Sequence, residues 1–230
     1  MKRCVNILAA LFFCCAAGHV AAATQERVIA VLPDGSITLE HTGKASFANI
    51  RFPELKQAGS WLAAHVLQQE IPFEAGETER YGRVRITSEN ETDMLEAGIA
   101  VIYASEGEVP AVWFAREAAA RASKRGIWAK EDFLLTPENA AQHKNEFHVV
   151  EGQVTRVYAN RTVTYLNFGK DWHSDFSITI PASVRRRMGD RLDTIHAGSE
   201  VCVRGRLYEE NGPMVMLNHA DNLQPCAIHR

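Results

Sequence analysis

The sequence predicts a mainly β protein with packed helices, arranged as two small barrels of OB type. Three observations carry this. Short apolar–polar alternations recur along most of the chain, bounded by Gly, Pro, Asn and Asp turns. Each half runs strand, strand, strand, helix and then further strands, the plan of a small Greek-key barrel. A polar stretch, TPENAAQHK at 136–144, separates the two halves. The segments are therefore 1–23 as a leader, 24–135 as the first barrel, 136–144 as a linker and 145–230 as the second barrel.

The leader is MKRCVNILAALFFCCAAGHVAAA. Lys2 and Arg3 form a positive n-region, and Val5 to Ala17 an apolar h-region too short to span a membrane. Ala21-Ala22-Ala23 gives a small-residue cleavage site, with the cut expected near Thr24. This reads as a signal peptide and implies a periplasmic or secreted protein. Its loss would remove Cys4, Cys14 and Cys15 and leave Cys202 and Cys226 in an oxidising compartment. These two are expected to bridge, which on the chain-entropy model stabilises by about 3 kcal/mol. Two cysteines without a His-x-x-His-like spacing give no zinc signal.

From Thr24 to His143 there are 12 basic and 18 acidic residues, a balance of −6; from Lys144 to Arg230 there are 11 and 10, or +1. An acidic first half is a poor footprint for tight nucleic-acid binding, which rests on phosphate neutralisation.

In the first half, Arg27 to Leu32 alternates and enters the turn Pro33-Asp34-Gly35. Ser36 to His41 and Phe47 to Phe52 follow as strands, and Pro53 ends the third because it has no N–H for a ladder. Residues 55–69 place Trp61, Leu62, His65 and Val66 on one face at helical spacing, so His65 reads as a core histidine. Glu70 to Phe73 and Arg83 to Thr87 read as strands, and Asp93 to Ala97 as a short helix. Ala111 to Arg125 is an amphipathic helix with Gly126 at C′ and Glu117 and Arg121 as an i,i+4 pair. In the second half, Phe147 to Ala159, Arg161 to Phe168 and Asp175 to Ile180 are strands. A short helix from Pro181 to Met188 precedes a hairpin across Glu210-Asn211-Gly212, a strong turn signal.

Four stretches carry a resemblance. They are PDGSITL (33–39), SFANIRFPE (46–54), ERYGRVRI (79–86) and AREAAARASKRGIWA (115–129). In this order they resemble the staphylococcal-nuclease-like (thermonuclease) family and cover nearly the whole first module. The resemblance implies an OB-type barrel that cleaves phosphodiesters with calcium: two aspartates hold the ion, a glutamate activates water and two arginines bind phosphate. Such a site offsets the phosphate charge that otherwise repels a nucleophile.

Carried over by position, Glu54 matches the glutamate and Arg83 one phosphate arginine. The remaining positions depart. Ser36 and Arg51 stand where aspartates belong, and Ser46 where the second arginine belongs. Calcium thus loses both anionic ligands, and Arg51 puts a cation where the ion would sit. Loss of one transition-state donor typically costs about 2.7–4 kcal/mol. The module reads as a pseudo-enzyme with no metal site, Glu54 serving as an ion-pair partner of Arg51 or Arg83. Alternatively, Arg51 stands in as a phosphate contact in a metal-free anion site.

Other candidates are weaker. Asp171, His173 and Asp175 alternate in GKDWHSDF, as a weak metal site or a solvated loop. In the second module Tyr158, Tyr165, Phe168, Trp172 and Phe176 lie near Arg156, Arg161 and Lys170. Tyr165 and Trp172 are the candidates for stacking a base or sugar, or they cap the barrel. Arg185-Arg186-Arg187 with Arg191 reads as a solvated basic face or a docking patch for an anionic polymer or membrane. The expectation is a secreted binding or scaffolding protein, its partner a nucleic acid, another anionic polymer or an envelope protein. The alternative is a weak phosphodiesterase, with calcium as a cofactor in that case alone.

Overall fold

The structure, a computed structural model, describes residues 24–171 and 173–225. The leader, Trp172 and Cys226 lie outside the described residues, and with them the expected cleavage site and the far half of the expected disulfide. Among the described residues no helix is long and apolar enough to cross a membrane.

The first half contains β1 (Thr24–Val31), β2 (Ile37–Leu39), β3 (Gly43–Phe47), β4 (Ile50–Arg51), α1 (Leu55–His65), β5 (Glu70–Thr78), β6 (Val84–Ser88), α2 (Asn90–Glu96), β7 (Val101–Ile102) and α3 (Ala111–Ala122). Strands β1-β2-β3-β6-β5 close into a barrel, antiparallel except for the parallel pair β3–β6. Alternation explains the closure: Val28, Ile37, Leu39, Ala45, Phe47, Ile71, Phe73 and Ile86 point inward and are buried. Helices α1 and α3 add Leu62 and Trp113 to the same core. At the Pro-Asp-Gly turn, Gly35 sits at φ +81°, and a Cβ there would lie 2.5 Å from the Phe52 ring. Helix α2 opens with a reciprocal cap, the Ser88 amide donating to Glu91 Oε2 (2.9 Å) and the Asn90 amide to Ser88 Oγ (3.1 Å).

The second half contains β8 (Leu134–Leu135), β9 (Phe147–Gln153), β10 (Arg156–Ala159), β11 (Val163–Asn167), β12 (Ser177–Pro181), α4 (Ala182–Met188), α5 (Asp190–Asp193), β13 (Glu200–Glu209), β14 (Pro213–Met216) and β15 (Leu223–Pro225). These strands form one eight-stranded sheet of order β10-β11-β12-β14-β13-β9-β8, with β15 also on β13, rather than a ring closed by pairing. The Asn-Gly turn forms as expected, Asn211 and Gly212 both having positive φ (55° and 94°). The supposed linker is structured. Residues 140–143 form a 3-10 turn, Ala140 is buried in the second core, and β8 pairs in parallel with β9.

The two halves are joined by a third apolar cluster drawn from both: Val101, Ala120, Ile127, Trp128 and Phe133 meet Val149 and Cys202. It is framed by polar contacts that sequence reading placed elsewhere. Glu117 and Arg121 do not pair along α3. Glu117 accepts from Arg204 and, at 2.6 Å, from the Ile102 amide, while Arg121 donates to Glu151. Both side chains face the second half, so the i,i+4 partner loses to buried partners across the junction. Asn222, fully buried, accepts from the Ala104 amide (2.7 Å) and donates to the Ala104 carbonyl (2.8 Å), completing a broken strand edge. Within the first half, close backbone approach ties the end of α2 to the segment after α3. Gly98 and Gly126 have φ of +68° and +56°, and a Cβ on either would lie 2.2 Å or less from the other segment's backbone. Gly126 thus serves this contact; α3 already ends at Ala122.

Candidate functional site

A cleft of about 800 Å³ opens where the halves meet. One wall is the Pro-Asp-Gly turn and the Pro-Glu corner of the first barrel, with Asp34, Arg51, Glu54, Arg83 and Arg85. The other is the start of β9, with Glu146, Phe147 and His148. Barrel closure brings Asp34, Glu54 and Arg83 to one mouth. Their pairing differs from expectation.

Glu54 pairs with neither Arg51 nor Arg83. Its carboxylate accepts from Lys130, which follows the 3-10 turn 126–129. Arg83 donates to Asp34 Oδ2 at 2.8 Å. Asp34 is further held by Ser36, whose hydroxyl and amide both donate to Oδ1. That hydroxyl, then the Arg83 charge, holds the Asp34 carboxyl below its ordinary range. Arg51 lays its guanidinium over the Phe147 ring, 4.9 Å from the centroid, and Phe147 meets Tyr103 edge-on at 5.0 Å. Arg85 reaches Glu79 (3.2 Å) and Ser105 (2.6 Å). Asp34 and Glu54 at this corner therefore each face a cation or a hydroxyl, and four cations meet five carboxylates around the cleft. The cleft therefore carries no positive excess for a phosphate backbone.

The other wall carries a group that sequence reading missed. His143, Glu146 and His148 bring one ligand atom each within 4.8 Å of one another. Glu146 Oε2 lies 3.1 Å from His143 Nδ1 and 3.0 Å from His148 Nε2. Bonds from the His148 ring and then the His143 ring hold the Glu146 carboxyl below its ordinary range. The signal was present as His-x-x-Glu-x-His in HKNEFH, 143–148. It matches neither helical nor strand period because a turn and a strand start share it.

The remaining candidates separate from the cleft. His65 is not in the core; it is exposed, stacked on Trp61 (4.4 Å between centroids) and bonded to the Trp61 carbonyl (2.8 Å). Asp171 and Asp175 serve their own loop, Asp175 Oδ2 accepting from the Asp171 amide (2.7 Å) and Asp171 Oδ1 from the His173 amide (3.1 Å). The basic run is largely structural: Arg185 donates to the Asn160 and Arg161 carbonyls, Arg187 to the Asn218 carbonyl and Arg191 to Asp221. Tyr165 stacks with Tyr158 (6.4 Å) beside a second pocket of about 590 Å³. Phe168 and Phe176 are core, and Cys202 is buried on β13, opposite Gln224 of β15.

No family model matches the chain, and no curated protein shows significant similarity to it. What the fold defines is a class: a mainly β protein with a closed five-stranded barrel joined to a larger sheet.

Proposed function

We propose that this chain is a secreted or periplasmic binding protein of two barrel-like modules, the first nuclease-like in plan but not a working nuclease, whose ligand occupies the cleft between them. The observation that carries it is the saturation of the Pro-Glu corner. Glu54 is engaged by Lys130, Asp34 by Ser36 and Arg83, and Arg51 by Phe147. A water-activating carboxylate must be free to take a proton, and a calcium ion needs several oxygens not already neutralised. The wall is instead built to hold a fixed shape, buried contacts between the halves keeping the cleft preformed.

The two-barrel plan is supported by strand order. In the first module it is β1-β2-β3-β6-β5, in the second β11-β12-β14-β13-β9, each with one parallel pair. Strands β9 and β10 are separated by Val154 and Thr155 alone, so the sheet that starts at β10 returns to the same stretch of chain. The n-region, h-region and small-residue site of 1–23 support export.

The mature chain is tested for nuclease activity and thermal stability with calcium, with chelator, and as Glu54→Gln. The expected outcome is no calcium-dependent cleavage and no calcium-dependent rise in Tm. Robust cleavage that needs calcium and disappears in Glu54→Gln overturns the reading in favour of a phosphodiesterase.

A further inference from the structure

We propose that His143, Glu146 and His148 form a binding site for a divalent first-row transition metal, zinc above all, at the edge of the cleft. The argument stands on their geometry and does not depend on the binding-protein reading.

The orientation of His148 is the starting point. The residue is buried, and its Nδ1 lies 3.2 Å from the Phe133 carbonyl oxygen. A carbonyl can only accept, so Nδ1 carries the proton and donates. That leaves Nε2 facing Glu146 Oε2 at 3.0 Å, and Oε2 also lies 3.1 Å from His143 Nδ1. A lone pair on Nε2 aimed at a carboxylate oxygen is repulsive unless a second proton or a metal ion lies between them. An imidazole oriented by a backbone carbonyl on one nitrogen and converging with other donors through the second is the usual arrangement of a metal-bound histidine.

The backbone holds the donors in place. His143 closes the 3-10 turn 140–143, and Asn145 reverses the chain at φ +67°. The turn is pinned to β13 from both sides, the Asn145 amide donating to the Leu207 carbonyl and the Leu207 amide to the Glu146 carbonyl, both at 2.8 Å. His148 is the second residue of β9 and packs against Phe133. Such a site loses little freedom on binding an ion.

Distances and donor types choose the metal. Ligand atoms about 2.0–2.1 Å from a tetrahedral ion lie about 3.3 Å apart. The two N···O separations of 3.0 and 3.1 Å are close to that, and the two imidazole nitrogens, within 4.8 Å of each other, adjust their rings to meet it. Two imidazoles and a carboxylate suit zinc, nickel or copper; calcium takes six to eight oxygens. Three protein ligands leave a fourth position open, the arrangement of exchangeable rather than closed structural zinc. Glu146 is exposed and, with His148, lines the cleft, so the open position is accessible to solvent and to a cleft ligand.

The test uses untagged mature chain, stripped with chelator and titrated with zinc chloride alone, read by calorimetry, metal content and Tm. Cobalt(II) replaces zinc in a parallel sample to report tetrahedral geometry by its visible bands. The expected result is one tightly held zinc per chain with a rise in Tm, and affinity at least about tenfold weaker in both His143→Ala and Glu146→Gln. Both positions are accessible enough for the fold to survive the change, whereas His148 is buried. His196→Ala, at an exposed histidine elsewhere, leaves binding unchanged. Absence of stoichiometric zinc binding, or binding indifferent to both substitutions, overturns the proposal and leaves a plain histidine–carboxylate ion pair. Neither result alters the outcome of the calcium experiment, so the two proposals fail separately.

Discussion

Two groups of ion pairs, one at the cleft and one buried at the junction of the halves, use the same chemistry in opposite surroundings. At the Pro-Glu corner, Glu54 and Lys130 pair with side chains 43% and 49% exposed. At the junction, Glu117 and Arg204 pair with side chains 5% and 8% exposed. In water the Coulomb gain of the first pair is small and largely offset by side-chain entropy. In the junction each charge has lost its hydration, so removing one partner strands the other. Arg204 is only partly satisfied: Nη2 meets Glu117, the guanidinium lies 5.6 Å from the Phe114 ring centroid, and Nε and Nη1 have no hydrogen-bond partner among the described residues. The exposed pairs therefore shape the cleft at little energetic stake, while the buried ones determine whether the halves stay together.

The largest effect is expected at the junction. Arg204→Ala leaves Glu117 buried and uncompensated and should cost about 3–5 kcal/mol in denaturant unfolding. Glu117→Gln combined with Arg204→Met removes both charges, keeps an acceptor for the Ile102 amide, and should recover most of that loss. A double variant as unstable as Arg204→Ala breaks the distinction between stranded and paired charge.

Glu91 supplies a third case, a buried carboxyl without a cation. Burial pushes its pKa from 4.5 up to about 8, against the amide bond from Ser88. The folded state therefore holds a proton that the unfolded state releases. This contribution to stability is complete below about pH 4.5 and is lost as pH rises toward about 8. Glu91→Gln cannot ionise and keeps a cap acceptor. Its stability should overtake that of the parent as pH rises, the pH-dependent gain reaching on the order of 5 kcal/mol near pH 8. A stability difference that stays flat with pH would show the carboxyl to be solvated after all.

The smallest effect is expected at the corner. Lys130→Ala should change stability by less than about 1 kcal/mol, and less still in high salt. A loss above about 2 kcal/mol would place Lys130 with the buried group and undo the comparison.

Much of the first barrel was legible because alternation reports which side of a strand is wet. Ile37 and Leu39 alternate with Thr38 and are both buried, whereas Val28 stands in the unbroken apolar run 28–32, where period two does not separate it from the exposed Ile29. The misreadings share one cause. Local rules assume a residue's partners lie nearby in sequence. They paired Glu117 with Arg121, and Glu54 was assigned to Arg51 or Arg83; each turned out to have a partner supplied by the packing of other segments. The 136–144 segment read as a linker because it lacks apolar periodicity, although Ala140 is core and His143 faces His148 across 4.6 Å.

By itself the sequence determined the β-rich class, the positions of the turns and the presence of serine at 36 and arginine at 51. Those follow from side-chain period, from the φ that glycine and asparagine allow, and from residue identity. The tertiary structure alone decided that Lys130 holds Glu54, that Arg51 rests on Phe147, that Asn222 caps Ala104, and that two histidines converge on Glu146. These contacts join residues far apart in the chain or meeting across a turn. Their energy depends on desolvation and direction, which no local pattern encodes.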